Sequence, residues 1–216
     1  MEIKVLKNIL GANDQIAESN RQLLVKNNIF AVNFMATPGA GKTSLIIETI
    51  KRLKEKSKIG VIEGDISSSV DAEAVGKEGV AVIQINTGGS CHLDANMVSN
   101  ALGDMPLTNI ELLLIENVGN LVCPAEFALG EHKKVLISSV PEGDDKPVKY
   151  PLMFNIADAV VLNKTDLLPY VKFDIQAFSR SIKSINQRAE IIPVSCITGE
   201  GIDRWVSWLL NQMGSK

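Results

Sequence analysis

The chain is short of the features that would mark a secreted, membrane-embedded or nucleic-acid-binding protein. Its 216 residues include three cysteines, Cys91, Cys123 and Cys196. These are too few and too scattered for a disulfide framework, so the thiols are expected to be free or metal-bound. No apolar run reaches the roughly 18 residues that a membrane span needs. The opening Met1-Glu2-Ile3-Lys4 carries no secretory hydrophobic region. A formal net charge of -3, with no long Lys/Arg cluster, argues against a binder of phosphate backbones. The expectation is a cytoplasmic protein with neither nucleic acid nor membrane as partner. There is no internal repeat, no low-complexity linker, and no His-rich or Cys-rich tract before residue 30. An apolar fraction of 45% and a charged fraction of 22% are ordinary for a soluble globular protein. The length allows one domain with an extension, or a tight two, and is ample for a single buried core.

The organising stretch is Met35-Ala36-Thr37-Pro38-Gly39-Ala40-Gly41-Lys42-Thr43-Ser44. It follows the apolar run Ile29 to Phe34 and precedes the helical spacing of Leu45, Ile46, Thr49, Ile50 and Leu53. Strand, tight loop and helix form the context of a phosphate-binding loop. The glycines let backbone N–H groups converge on one point. Lys42 can reach the β- and γ-phosphates, the Thr43 hydroxyl can ligate Mg²⁺, and the helix start adds its positive dipole end. Ala36 stands where the usual loop has its first glycine, which requires a backbone shape there that an L-residue can adopt.

Leu6, Ile9, Leu10, Ile16, Ala17, Leu23 and Leu24 predict an amphipathic helix or helix pair, interrupted near Gly11. Residues 1–28 are read as a helical extension packing on a nucleotide-binding domain of residues 29–216. Beyond the phosphate loop, apolar segments at 58–65, 80–85, 112–116, 134–139, 157–162 and 190–194 alternate with helical patterns. Those patterns fall near 93–102, 173–185 and 202–210. Continuous apolar strands alternating with helices predict an α/β fold, a mainly parallel sheet covered on both faces. Ligands of such sheets bind at the carboxyl ends of the strands.

Asn163-Lys164-Thr165-Asp166 ends one buried strand. The Asp166 carboxylate can accept from N1–H and the 2-amino group of guanine, whereas adenine offers an acceptor at N1 and no amino group there. A site built on those bonds rejects the analogue lacking them by roughly 10⁴-fold or more. The Lys164 stem can lie along the base, and Ser195-Cys196 follows the next strand on the base side, with Cys196 as a small packing residue. Asp65 and Glu116 end two other strands and are candidates for the Mg²⁺ side, since a hard cation takes carboxylate oxygens. Asp65 suits a helix cap equally well. Asp71 is either a water-orienting acid or a first-turn acid. Gly119, three residues after Glu116, stands where nucleotide switch proteins sense the γ-phosphate.

Cys91, His92 and Cys123 form a third set. Adjacent side chains diverge on a regular helix, so Cys91 and His92 can grip one ion only in an irregular turn, which Gly88-Gly89-Ser90 permits. Two thiolates and an imidazole suit Zn²⁺ or Ni²⁺ and leave a fourth position for water or another chain. By residue type alone, two packing cysteines and a polar histidine fit equally well.

Taken together, these segments resemble HypB, the nickel-insertion GTPase family of nickel–iron hydrogenase maturation and part of the SIMIBI class of P-loop proteins. The resemblance is carried by residues 36–44, 63–73, 88–95, 115–130, 142–151 and 163–169. Ser90-Cys91-His92-Leu93-Asp94-Ala95, Glu116-Asn117-Val118-Gly119 and Glu142-Gly143-Asp144-Asp145-Lys146-Pro147 are its most specific parts. It implies GTP hydrolysis coupled to nickel delivery. Pro38, Gly39, Ala40, Gly41, Lys42, Thr43 and Ser44 would hold the phosphates, and Asn163, Lys164, Asp166, Ser195 and Cys196 the base side. It implies a homodimer when GTP is bound, with a nickel or zinc site of Cys91, His92 and Cys123 at the interface. The implied partners are a HypA-type metallochaperone and a hydrogenase large-subunit precursor. Slow turnover is expected, because no arginine follows the phosphate loop; Lys146 or Lys149 is expected to offset phosphate charge. Without the N-terminal cysteine motif and histidine tract of some members, nickel storage is not expected. A urease-accessory type of nickel-delivery GTPase is the nearest rival reading. A metal-binding scaffold with a structural nucleotide is another, and a kinase using the same loop a third, though no acceptor-binding base or lid is evident.

Overall fold

The computed structural model describes residues 9–214. Seven strands form one sheet in the order β3-β2-β4-β1-β5-β6-β7. They are β1 (Phe30–Ala36), β2 (Ile59–Asp65), β3 (Ala81–Asn86), β4 (Leu112–Glu116), β5 (Lys133–Ser139), β6 (Ala159–Asn163) and β7 (Glu190–Pro193). Every neighbouring pair is parallel, so all seven carboxyl ends share one rim. The apolar segments of the sequence are these strands, with ends shifted by one or two residues.

Alternation along β1 shows how the faces are filled. Phe30, Val32, Phe34 and Ala36 point to a core closed by α2 (Lys42–Leu53) and α8 (Ile202–Gly214), with Trp205 fully buried in it. On the other face, Ala31 joins a core under α1 (Ile9–Lys26) and α4 (Ala95–Asp104), while Met35 joins one under α6 (Pro151–Ile156) and α7 (Ile175–Ile185). Between Ala31 and Met35 sits Asn33, buried and polar. The fold is the expected α/β class, with helices on both faces and a helix ahead of β1.

Several expectations are corrected. The N-terminal helix runs unbroken through Gly11, because one glycine in a helix packed against its neighbour costs only about 1 kcal/mol. Leu6 and the Ile9 side chain lie outside the described residues. Helix α4 starts at Ala95 rather than Leu93, because Asp94 caps it by accepting from Met97 N–H at 2.8 Å. Asp174 likewise delays α7 past Phe173 by accepting from Ala177 N–H. Helix α3 (Val70–Gly76) follows Ser67-Ser68-Ser69, which suit helix caps by residue type, yet Ser69 makes no side-chain cap. The short α5 (Lys146–Lys149) and α6 had no counterpart in the sequence reading.

Candidate functional site

The phosphate loop joins β1 to α2. Ala36 lies inside β1, paired in register with Ile137, an extended conformation that costs an L-residue nothing. The loop turns on Gly39 at φ 79° and Gly41 at φ 97°. Gly41 also admits the base side of the site, since a Cβ there would lie 2.3 Å from Asn163 Nδ2. Gly41 is the N-cap of α2 and offers no side chain, so the first-turn N–H groups face the mouth of the loop.

A cavity of about 430 Å³ opens at this loop. Lys42, Thr43, Asp65, Asp71, Glu116 and Gly119 all line it, together with Pro38, Gly39, Ser44 and Lys164; Ala40 is buried beneath. Lys42 Nζ is 3.8 Å from Glu116 Oε1, and the Thr43 hydroxyl donates to that oxygen at 3.0 Å. Asp65 Oδ1 accepts from the N–H groups of Ser67 and Ser68 at 2.9 and 2.7 Å. Those backbone bonds hold its carboxyl below the usual carboxylate range. The serine turn is thus capped from Asp65, which also lines the cavity.

Glu63 was not among the expected site residues. It pairs in register with Glu116 across β2 and β4, and both side chains are buried. Burial pushes both carboxyls above their usual range, and the neighbouring charge raises Glu63 further. Glu63 Oε1 and Glu116 Oε2 have no hydrogen-bond partner among the described residues. Two adjacent buried carboxylates require a proton or a cation between them. Thr43, Glu63 and Glu116 offer oxygen donors of the kind a hard divalent cation takes, and Asp65 lies on the same cavity wall. An acid interrupting the apolar run Ile59 to Gly64 was the available signal. The register that sets it beside Glu116 was not.

The base side is stitched to the loop. Asn163 Nδ2 donates to the Ala40 carbonyl at 3.0 Å, and Lys164, at φ 60°, donates from Nζ to the Gly39 carbonyl at 2.7 Å. Asn163 Oδ1 accepts from Lys164 N–H at 2.8 Å and from Cys196 N–H at 3.4 Å. Asp166 Oδ1 accepts from the Ser195 hydroxyl at 2.6 Å, which fixes the carboxylate's direction. Burial pushes the Cys196 thiol up to about 11, so it packs as a neutral side chain. Lys146 and Lys149 are both ion-paired, to Glu142 at 3.8 Å and to Asp145 at 2.5 Å.

The loops leaving β3 and β4 bring the third set together. One ligand atom each from Cys91, His92 and Cys123 can be chosen so that all lie within 4.8 Å of one another. The two Sγ atoms are 3.1 Å apart, and sharing a hydrogen raises the Cys123 thiol. Cys91 and His92 lie in a bend ahead of α4, outside any helix, as their joint use requires. His92 packs its ring against Phe127 with centroids 4.0 Å apart, and Asn120 Nδ2 donates to the Cys91 carbonyl at 3.2 Å. Soft sulfur and borderline nitrogen donors, half-exposed, fit a late first-row divalent ion.

Fold and site together define a P-loop nucleotide-binding protein that carries a separate thiol–imidazole cluster on the same rim. The sequence matches the family described as CobW/HypB/UreG, nucleotide-binding domain, over residues 30–193. It is 47% identical to the hydrogenase maturation factor HypB of Azotobacter vinelandii over 99% of this chain and 71% of that one. The HypB structure from Archaeoglobus fulgidus superposes with a TM-score of 0.88 at 42% identity, covering 94% of this chain and 99% of that one. HypB from Helicobacter pylori in complex with nickel gives 0.90 at 35% identity, covering 94% and 96%. The chain belongs to the HypB family of hydrogenase maturation factors.

Proposed function

We propose that this chain hydrolyses GTP and uses the cycle to bind and release nickel during assembly of a nickel–iron hydrogenase. The observation that carries this reading is the shared rim: Cys91, His92 and Cys123 converge on the loops that leave β3, beside the strand ending at Asp65, and β4, the strand that itself ends at Glu116. A nickel complex of a 35%-identical HypB structure supports nickel as the cargo, and the cysteine–histidine pair favours hydrogenase over urease assembly.

In this reading the loop N–H groups and Lys42 hold the phosphates, while Thr43, Glu63, Asp65 and Glu116 hold Mg²⁺ directly or through water. Mg²⁺ supplies neutralisation of the phosphate oxygens. Asp71, on the cavity wall, orients the attacking water. Asp166, aimed by Ser195, selects guanine. Gly119 beside Pro38 senses the γ-phosphate, and its segment orders when that group is present. Triphosphate binding favours a homodimer, a neighbouring copy completes the nickel or zinc coordination, and Lys146 and Lys149 offset phosphate charge. A HypA-type metallochaperone and the hydrogenase large-subunit precursor are the proposed partners.

Phosphate release measured with GTP and with ATP, with and without Ni²⁺, tests the reading, alongside oligomer size with GDP and with a non-hydrolysable GTP analogue. GTP-selective release and a larger species with the analogue are expected. No release from either nucleotide would reduce the chain to a metal-binding scaffold with a structural nucleotide.

A further inference from the structure

Leu93 follows His92 directly, and both acid-bearing strand ends hold it. Its side chain fills the space over Gly64, where a Cβ would lie 2.7 Å from Leu93 Cγ. Gly64 stands between Glu63 and Asp65 at the end of β2. The backbone N–H of Leu93 donates to Asn117 Oδ1 at 3.0 Å, and Asn117 follows Glu116 at the end of β4.

Asn117 is fully buried, and each part of its amide has a partner. Oδ1 also accepts from Val118 N–H at 3.0 Å. Nδ2 donates to Asn33 Oδ1 at 3.3 Å, and Asn33 Nδ2 donates onward to Glu131 Oε1 at 3.2 Å. Two N–H donors on one side fix which way the amide faces. Val118 leads into Gly119, which lies so close to the phosphate loop that a Cβ there would sit 2.9 Å from Pro38 N. A single oxygen therefore joins the residue after His92 to the residue before Gly119.

We infer that Asn117 is the positioning residue that carries the state of the phosphate loop to the His92 loop. This rests on the nucleotide–metal coupling proposed above. A shift of Gly119 moves Val118 N–H. The buried oxygen follows that donor, since water cannot replace it there, and Leu93 N–H follows the oxygen. His92 moves with Leu93 on the loop after β3, while Cys123 follows Gly119 on the loop after β4 and is carried by that loop's own path. The distance between imidazole and thiolate is then set by which nucleotide is bound.

The test measures Ni²⁺ affinity of the full chain, saturated in turn with GDP and with a non-hydrolysable GTP analogue. In the wild type the two affinities are expected to differ by about fivefold or more, within the usual range of allosteric coupling. In Asn117→Ala the ratio is expected to fall below about twofold, since the shared oxygen is gone. A residue that merely holds the loops together would lower both affinities alike and leave the ratio unchanged. A wild-type-like ratio in Asn117→Ala overturns the inference and leaves the coupling standing. A wild-type ratio of one overturns both. Should the variant not fold, amide hydrogen exchange in the wild type decides. Leu93 and Val118 are expected to change protection together between the two nucleotide states. A change at Val118 with none at Leu93 would overturn the inference.

Discussion

Gly41 answers to two demands at once. Its φ of 97° lies where an L-residue is strained, and the space a Cβ would need is held by the Asn163 amide. Gly41→Ala should therefore lower stability by about 1–3 kcal/mol and weaken nucleotide binding, as read by thermal melts with and without GTP. Asp166 makes a sharper prediction. A hydrogen bond to a charged group is worth about 1.5–3 kcal/mol, so Asp166→Ala should weaken GTP by roughly 10- to 150-fold and leave ATP almost unchanged. Fluorescent-nucleotide titration checks this, and equal losses for both would remove Asp166 from the base. Glu131 is buried. Burial by itself would raise its carboxyl, but the Lys134 ammonium and the Leu129 N–H outweigh this and hold it below the usual range. Its folded value lies below the unfolded one near 4.3. Its contribution to stability is complete above that pH and lost as the pH falls through the folded value. Glu131→Gln should thus destabilise at pH 7 and flatten the acid side of the stability curve, measured by urea melts from pH 3 to 7. At this scale the sequence was most legible where residues stand in short motifs: Lys42, Thr43 and Glu116 meet at one cavity, and Asp166 is held by Ser195. Glu63 and Asn117 were not legible in this way, because their meaning depends on cross-strand register and on a donor from another loop.

Among the elements, α1 shows how much a helix end can hide. Its apolar spacing predicted a packing arm, and Leu24 joins the core beneath α4. What ties it down is polar. Asn20 donates to the carbonyls of Ala95 and Leu129 at 2.8 and 3.0 Å, and Asn13 donates to the Ala128 carbonyl while accepting from Ala95 N–H. The helix therefore braces both the start of α4 and the loop that follows Cys123. Asn20→Ala removes the amide that donates to the Ala95 and Leu129 carbonyls, at about 1–3 kcal/mol. That corresponds to a fall in melting temperature of roughly 2–4 °C per kcal/mol, measured by calorimetry. No loss would mean that water replaces the amide. Long helices were readable because their periodicity spans several turns. The pair α5 and α6 was not, since each is short and begins beside a proline, which reads locally as a turn. The thiol–imidazole loops lie between these extremes. Their residue types suggested an ion, but only the paths of two separate loops bring Cys91 and Cys123 within 3.1 Å.

At the scale of the whole molecule, one topological fact organises the rest. With every strand parallel, the loop after β1, the acids ending β2 and β4, the thiol–imidazole loops and the Asn163 corner all meet on a single rim. The alternation of apolar runs and helices made the sheet predictable. The strand order was not, because the interleaving of β4 between β2 and β1 depends on long-range packing rather than on neighbouring residues. That interleaving sets Glu63 against Glu116 and lays residues 117–119 beside the His92 loop. The proposed coupling is that loss of the γ-phosphate loosens the metal cluster. Its most direct test follows nickel and phosphate in one sample: protein loaded with Ni²⁺ and GTP·Mg²⁺, a chromophoric chelator reporting free nickel, and a phosphate sensor. Nickel release that tracks phosphate release, and that a non-hydrolysable analogue suppresses, is the predicted result. Equal release rates with GTP, GDP and the analogue would contradict the account.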